Sequence, residues 1–326
     1  MNMRKGLYLF LGVLIGSTYI GAGAASAQNA KSYVSSTGSD SNPCTFALPC
    51  RTFQHGHDQT NTGGELYALD NAADYGALVI NRGIAIFSPQ DSGATRASIS
   101  VASGSAITVN APANATVTLV NLELRGQGTA DNGVLFNTGA LLQVYGGSYC
   151  CFGGAAPNGF GVKFAPSAFS RLLVSGANIS GNGTASTGAA VQVNPQSGGA
   201  AYVNLREITA YNNAFGLAMD TTGSTNGVNS VIHGGTMQYN RQDGIVAVGG
   251  APIGLLIDDN ALLLGNAGFG VRAIGTGVNV RLNQANIVGN GTGVAGVSGG
   301  SILSYGNNSI DGNGTNGTPT STIPLK

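Results

Sequence analysis

The most regular feature of the chain is a series of short segments in which apolar and polar residues alternate. Apolar positions lie two residues apart, and Gly, Asn and Ser separate the segments, as at residues 172–174, 203–205 and 280–282. A spacing of two places alternate side chains on opposite faces of a strand. The repeats lack the 3.6-residue period of an amphipathic helix. The pattern therefore predicts many short β-strands joined by turns.

From residue 177 onward these segments form a repeat. Six hexamers each end in Asn and carry an apolar third residue, at residues 177–182, 208–213, 235–240, 261–266, 285–290 and 308–313. The closing Asn residues lie 31, 27, 26, 24 and 23 positions apart. Short strands cannot bury an inner face alone, but coiling the chain stacks each strand on its equivalent one turn later. We expect an all-β solenoid, a parallel β-helix of roughly ten coils, with Asn amides hydrogen-bonded between coils.

The first residues have the pattern of a secretory signal. Arg4 and Lys5 precede an apolar run at residues 7–20, and Ala25-Ser26-Ala27 supplies a small-x-small cleavage site. We expect residues 1–27 to be a signal peptide, 28–63 an N-terminal cap, 64–317 the β-helix and 318–326 a tail. The mature protein would be secreted or periplasmic, without a membrane span after signal removal.

Composition excludes some partners and leaves others open. Hydrophobic residues make up 42% of the chain, which argues against disorder despite 53 Gly. The 14 basic and 14 acidic residues cancel, and no basic patch stands out, so we expect no nucleic-acid partner. Oligomeric state is left open.

Four cysteines divide into two pairs. Cys44 and Cys50 are six residues apart in an irregular segment of a chain expected to be exported, so we expect a disulfide between them. Cys150 and Cys151 are adjacent. Because vicinal disulfides are strained, we expect one buried thiol and one near the surface.

The segment at residues 33–44, followed by Pro49-Cys50-Arg51-Thr52-Phe53, resembles the entry motif of secreted right-handed parallel β-helix proteins of the pectate-lyase-like superfamily. The resemblance implies a right-handed β-helix in which a strand, a loop and a short helix cap the first coil. It implies no single activity, because this fold hosts lyases, hydrolases, epimerases, phage adhesins and proteins without known chemistry.

The enzyme signatures of that superfamily are incomplete here. Its lyases use Lys or Arg as a base, commonly with Ca²⁺ held by clustered carboxylates, whereas the coils of this chain carry one Lys, Lys163, and one adjacent acidic pair, Asp258-Asp259. Its pectin hydrolases carry an Arg-x-Lys motif that this chain lacks. We therefore expect no cofactor, and Ca²⁺ only if the protein is a lyase.

One cluster is the candidate site. Seven residues before four successive closing Asn residues stand Arg206, His233, Asp259 and Asn283. If the register holds, Arg206, His233 and Asp259 stack about 5 Å apart on one edge and could act on a sugar as cation, base and acid. The other interpretation is a solvated ladder of offsetting charges. Further candidates for substrate binding are Asp258, Glu207, Arg281, Tyr211 and Tyr239.

Two functions remain open at this point. We expect an exported, non-catalytic β-helix protein that is structural or binds a glycan, so that a polysaccharide is the expected partner. The alternative is a polysaccharide lyase or glycoside hydrolase that acts through Arg206, His233 and Asp259. Cleavage of a glycan, and its sensitivity to a chelator, would separate the two.

Overall fold

The structure, a computed structural model, describes residues 28–71, 74–89, 96–184 and 186–324. The expected signal peptide lies outside the described residues. The described chain winds through three parallel sheets, which contain twelve, nine and nine strands and are named here sheets A, B and C. Each coil passes through sheet C, then A, then B. The fold is an all-β parallel β-helix of about ten coils, as the repeat predicts.

The strands are numbered in chain order. Sheet A contains β1 (Asn29–Val34), β2 (Thr60–Ala68), β4 (Ile84–Phe87), β7 (Thr116–Val120), β10 (Leu141–Tyr145), β13 (Phe169–Ser175), β16 (Ala200–Arg206), β19 (Val228–His233), β22 (Ile253–Asp258), β25 (Val278–Leu282), β28 (Ser301–Ser304) and β30 (Ser321–Thr322). Sheet B contains β5 (Ser98–Ser100), β8 (Glu123–Arg125), β11 (Ser148–Cys150), β14 (Asn178–Ser180), β17 (Thr209–Tyr211), β20 (Thr236–Gln238), β23 (Leu262–Leu264), β26 (Asn286–Val288) and β29 (Ser309–Asp311). Sheet C contains β3 (Leu78–Ile80), β6 (Ser105–Asn110), β9 (Asn132–Thr138), β12 (Phe160–Phe164), β15 (Ala189–Val193), β18 (Phe215–Asp220), β21 (Ile245–Val248), β24 (Phe269–Ile274) and β27 (Thr292–Val297).

The core lies inside the coil, where apolar residues of equal position stack. Leu205 pairs with Ile232, Ile232 with Ile257, and Ile257 with Leu282, and all four are buried. The residues between these positions point outward and are polar or only partly buried. Burial at about 25 cal/mol per Å² of apolar surface makes such stacked columns the main stabilising contribution of the fold.

The closing Asn residues form a buried ladder at the turn from sheet B to sheet C. The Nδ2 atom of Asn240 donates to Oδ1 of Asn266 at 2.8 Å, and Asn266 donates in the same way to Asn290 at 2.8 Å. The backbone N–H of Asn240 also donates to Oδ1 of Asn266, at 3.1 Å. The ladder runs from Asn182 to Asn313 and confirms the expected hydrogen bonding between coils.

The Gly that follows most ladder residues is explained by close packing. A Cβ on Gly244 would lie 2.8 Å from Nδ2 of Asn266, and one on Gly270 would lie 3.0 Å from Nδ2 of Asn290. Each of these glycines therefore makes room for the ladder amide of the next coil. The Gly of one coil and the Asn of the next coil therefore pack directly against each other.

The expected disulfide joins Cys44 and Cys50, and both cysteines are fully buried. Their segment lies against the outer edge of β1, since the N–H of Tyr33 donates to the carbonyl of Cys44 and the N–H of Cys50 donates to the carbonyl of Tyr33. Helix α1 (Phe53–Gln59) follows, capped at its N-terminus by Thr52. Among the described residues, no helix has the length and apolar character needed to cross a membrane.

The second cysteine pair differs from the expectation in one respect. Cys150 is only partly buried and Cys151 is exposed. Cys150 ends β11 on the outward side of sheet B, so its thiol does not enter the core as one of the pair was expected to do.

Candidate functional site: a groove on the outer face of sheet A

The outward side chains of sheet A stand in three parallel columns, set by the strand register. The middle column runs through Leu173, Asn204, Val231, Leu256, Arg281 and Leu303. The first column, on the side where the strands begin, runs through Arg171, Tyr202, Asn229, Gly254 and Asn279. The third column, on the side where the strands end, contains Ser175, Arg206, His233 and Asp258, and Asn283 follows Leu282 in the next coil.

A continuous groove follows the first two columns. Its larger part has a volume of about 1080 Å³ and is lined by residues that include Asn279, Asn283 and Tyr305. Its smaller part has a volume of about 500 Å³ and is lined by residues that include Arg171, Tyr202 and Asn204. The two parts share Asn229, Gly254, Leu256 and Arg281. Gly254 contributes no side chain to the first column, and Oδ1 of Asn229 lies 3.1 Å from the position that a Cβ would take there.

The groove combines an apolar floor with amide and guanidinium groups. Leu173, Val231 and Leu256 supply partly buried apolar surface. Tyr202 lies at the side of the groove and is 50% exposed. Arg171 and Arg281 are exposed guanidinium groups that line it. Among the described residues, no carboxylate forms an ion pair with either arginine. The groove therefore carries uncompensated positive charge.

The His233 side chain lies on the rim of this groove, in the third column. Its Nδ1 atom is 2.7 Å from Oδ1 of Asp258 in the next coil, and the two side chains are 37% and 16% exposed. The approach does not meet hydrogen-bond geometry at Oδ1, so the contact is an ion pair when His233 is protonated. Arg206 is exposed and pairs in register with His233 from the other side. The structure thus brings Arg206, His233 and Asp258 into one row.

The expected place of Asp259 in that row is wrong by one residue. Asp258, not Asp259, lies opposite His233. The turn after β22 is one residue longer than the turn after β19, and both Asp259 and Asn260 have a left-handed backbone, with φ of 56° and 59°. This extra residue shifts the residue that faces His233 from seven to eight positions before the closing Asn266. Asp259 is exposed in the turn, beside the row rather than within it.

The other predicted residues are spread over two edges. Glu207 has φ of 48° in the turn after β16, where its carboxylate covers Gly234 of the next coil. Tyr211 and Tyr239 are exposed at the far end of sheet B, so that a strand of sheet B separates them from His233. The structure therefore brings Glu207 near the row but leaves both tyrosines outside it.

Groups with other candidate chemistry lie elsewhere. Lys163 is on sheet C and its Nζ donates to the carbonyl of Pro157 at 2.7 Å, and burial lowers the pKa of this lysine. Among the described residues, one group of His, Cys, Asp or Glu has the spacing of a metal site: Cys44, Cys50 and His55. Its two sulfur atoms are joined in the disulfide, so they are not available as thiolate ligands.

Sequence reasoning missed most of the groove. Arg171, Tyr202, Asn229 and Asn279 form its first column, and none of them belongs to the candidate site predicted from the sequence. The alternation in the sequence marks each of them as an outward position, since each stands one residue before a buried position of a sheet A strand. Their alignment into one column depends on the strand register, which the sequence does not give because the spacing between strands varies from coil to coil.

Comparisons of the chain with protein-family models, with curated proteins and with solved structures found no match. The fold and the groove are accordingly the observations from which a function is argued.

Proposed function

We propose that this protein is an exported β-helix that binds an acidic polysaccharide along the groove of sheet A without cleaving it. The observation that carries the proposal is the uncompensated pair Arg171 and Arg281 in a long groove with an apolar floor. A guanidinium group binds carboxylate or sulfate oxygens through two parallel hydrogen bonds, which few other side chains can do. The Cys44–Cys50 disulfide supports export, because disulfides persist in oxidising compartments.

The shape and lining of the groove suit a sugar chain. Tyr202 and Tyr305 offer aromatic rings on which the apolar face of a sugar can stack, while Asn204, Asn229 and Asn279 offer amides to its hydroxyl groups. The groove extends from β10 to β30, so it runs along the axis of the coil rather than ending in a closed pocket. A linear polymer matches this geometry better than a small molecule does.

The chemistry of the lining favours binding over hydrolysis. No residue that lines the groove, among those described, is an Asp, Glu, His or Lys. Glycoside hydrolysis ordinarily uses two carboxyl groups that flank the scissile bond. Lys163 lies on sheet C, a different face of the coil, so that Arg171 and Arg281 are the groove residues of the type that a lyase uses as its base.

The binding proposal is tested by measuring affinity for acidic glycans by calorimetry with Arg281→Ala. Loss of a charge-assisted hydrogen bond worth about 1.5–3 kcal/mol should weaken binding by roughly tenfold or more. Arg125→Ala is the matched control, because it removes the same charge from sheet B, and should change affinity by less than about twofold. Equal affinity of wild type and Arg281→Ala would contradict binding in the groove.

A polysaccharide-cleaving enzyme is the second candidate, and the His233–Asp258 pair favours it. A histidine 2.7 Å from a carboxylate places a candidate general base beside a candidate general acid at the groove rim. His233 and Asp258 lie on the rim, in the third column, which is next to the middle column of the groove. The His233→Ala variant separates the candidates: an enzyme loses turnover, whereas a binding protein retains its affinity.

A further inference from the structure

Cys150 and Cys151 form a closely spaced thiol pair on a face that the groove does not use. Cys150 is the last residue of β11, in the outward column of sheet B between Arg125 and Ser180. Cys151 follows it at the turn toward sheet C. Their sulfur atoms are 2.7 Å apart. This separation is well inside the usual contact distance of two non-bonded heavy atoms, about 3.5–4 Å.

The backbone at Cys151 has a conformation that is uncommon for a cysteine. Cys151 has a left-handed conformation, with φ of 69°. The residue after each following strand of sheet B is also left-handed: Gly181, Asn212, Tyr239, Gly265, Gly289 and Gly312. Most of these residues are Gly or Asn, which adopt the conformation at little cost, whereas Cys costs about 1 kcal/mol or more.

The surrounding coils hold this conformation in place. The N–H of Cys151 donates to the carbonyl of Ser180 at 3.3 Å, and its carbonyl accepts from the N–H of Gly128 at 2.7 Å. The carbonyl of Cys150 accepts from the N–H of Gly126 at 2.9 Å. The coils before and after the pair therefore hold its backbone in place, so that the two cysteines stay adjacent on the outer face of sheet B.

The two thiols differ in their surroundings. Burial, with a smaller contribution from the neighbouring Cys151 thiol, raises the pKa of Cys150 to about 12. Cys151 is exposed to solvent. Since the thiolate is the reactive form and must reach its partner, Cys151 is the group placed to attack an external disulfide, and Cys150 is the group placed to resolve the product.

We propose that Cys150 and Cys151 are a reversible redox site that closes to a vicinal disulfide by exchange with a low-molecular-weight disulfide. The Cys151 thiolate attacks one sulfur of the oxidant, forms a mixed disulfide and releases the first thiol. Cys150 then gives up its proton, attacks the Cys151 sulfur and releases the second thiol. The two protein thiols are oxidised by two electrons and the external disulfide is reduced to two thiols.

The closed form should be easily reduced. Adjacent Cα atoms are about 3.8 Å apart, below the range of about 4.4–6.8 Å in ordinary disulfides, so the bond is strained. Strained and exposed disulfides have higher reduction potentials than buried structural ones. The Cys44–Cys50 bond, fully buried at both cysteines, is the internal contrast.

The chain allows the two pairs to be followed separately. Trypsin cleaves after Lys31, Arg51, Arg125 and Lys163, so that Cys44 and Cys50 fall in the peptide 32–51 and Cys150 and Cys151 in the peptide 126–163. The folded mature protein is first reduced with a mild thiol, then treated with glutathione disulfide, blocked with N-ethylmaleimide, digested and analysed by mass spectrometry.

We expect peptide 126–163 to carry two maleimide groups after reduction, and none, with two hydrogen atoms fewer than the dithiol, after oxidation. Peptide 32–51 should stay unlabelled in both samples. Two maleimide groups on peptide 126–163 after oxidation, or a stable glutathione adduct in place of ring closure, would overturn the proposal.

Two variants keep the test independent of folding defects. Cys151→Gly places at this position the residue that several other coils use, so it should fold normally and leave Cys150 unable to close a ring. Cys150→Ser should retain Cys151 and form a glutathione adduct that persists. If Cys150→Ser gives no adduct at Cys151, the assignment of Cys151 as the attacking thiol is wrong.

Discussion

The carboxylate of Asp258 lies 2.7 Å from Nδ1 of His233, which precedes it by one coil in sheet A. This pair forms the rim of a groove whose lining is positively charged and lacks carboxylates among the described residues. Asp258 is therefore a negative charge beside a path for an anionic ligand. Its charge reduces the attraction that Arg171 and Arg281 provide.

Replacing Asp258 with Asn should consequently strengthen binding of an acidic glycan. We expect a gain of about two- to fivefold in affinity at low salt, shrinking as added salt screens the interaction. Asp259→Asn is the matched control, since it removes the same charge from the neighbouring turn residue, and should give a smaller gain. Calorimetric titration of both variants checks this, and weaker binding by Asp258→Asn would indicate that the carboxylate contacts the ligand itself.

Removing one amide from the Asn ladder should destabilise the coil. In Asn240→Ala, the buried backbone N–H of Asn213 loses its acceptor, Oδ1 of Asn240, whereas Nδ2 of Asn213 keeps the carbonyls of Ile179 and Tyr211. Leaving this N–H unpaired should cost about 1–3 kcal/mol in the free energy of unfolding. Asn279→Ala, at an exposed position, should change it by less than about 0.5 kcal/mol. Urea titration followed by circular dichroism measures both, and equal effects would refute the structural role of the ladder.

A side chain on the glycine beside the ladder should lower the free energy of unfolding. A Cβ at Gly244 would lie 2.8 Å from Nδ2 of Asn266 and 2.9 Å from the carbonyl of Gly270, so Gly244→Ala should cost about 1–3 kcal/mol. Gly223→Ala is the control, because no heavy atom lies within 4 Å of its Cβ position. That variant should be neutral or stabilising by about 0.4–1 kcal/mol, since Ala restricts the unfolded chain. Unfolding midpoints that fall by the same amount in both variants would contradict this packing.

Asp70 should make the N-terminal coil sensitive to acid. Burial acts to raise the pKa of Asp70, but hydrogen bonds from Ser35, Tyr75 and Ser36 outweigh it and hold the pKa below its ordinary value. The stability from this group is complete above the unfolded-state pKa, near 3.8, and is lost as the pH falls through the lower folded-state pKa.

The pH dependence of unfolding tests this sign. Asp70→Asn should lower stability by about 1 kcal/mol at neutral pH and flatten the loss of stability below about pH 4. Asp259→Asn, which removes an exposed carboxylate that accepts no hydrogen bond among the described residues, is the matched control for the loss of a negative charge. An unchanged acid slope in Asp70→Asn would show that Asp70 does not carry the effect.

The repeat was predictable because one physical requirement recurs in every coil. Asn240, Asn266 and Asn290 occupy the same buried turn, and the adjacent glycines make room for their amides, so the pattern is visible in the printed chain. The Cys44–Cys50 bond was predictable for a similar reason, since both cysteines lie in one short segment.

The groove and its rim were less predictable because coils differ in length. One extra turn residue after β22 moved Asp258 into the place that counting assigned to Asp259. Tyr211 and Tyr239 share the repeat with His233 but lie at the other end of sheet B, which distance along the chain does not reveal. Outward residues such as Arg171 and Tyr202 can be recognised as groove residues only when the structure shows them side by side on neighbouring coils.

Binding of an acidic glycan without cleavage is tested by following one mixture of protein and polysaccharide over time. The mature protein is incubated with each of several acidic polysaccharides, and affinity, new reducing ends and ultraviolet absorbance of unsaturated products are recorded with and without Ca²⁺. We expect saturable binding that Arg281→Ala weakens, with no new chain ends. Accumulation of unsaturated products or reducing ends that His233→Ala abolishes would contradict it and assign the rim pair to catalysis.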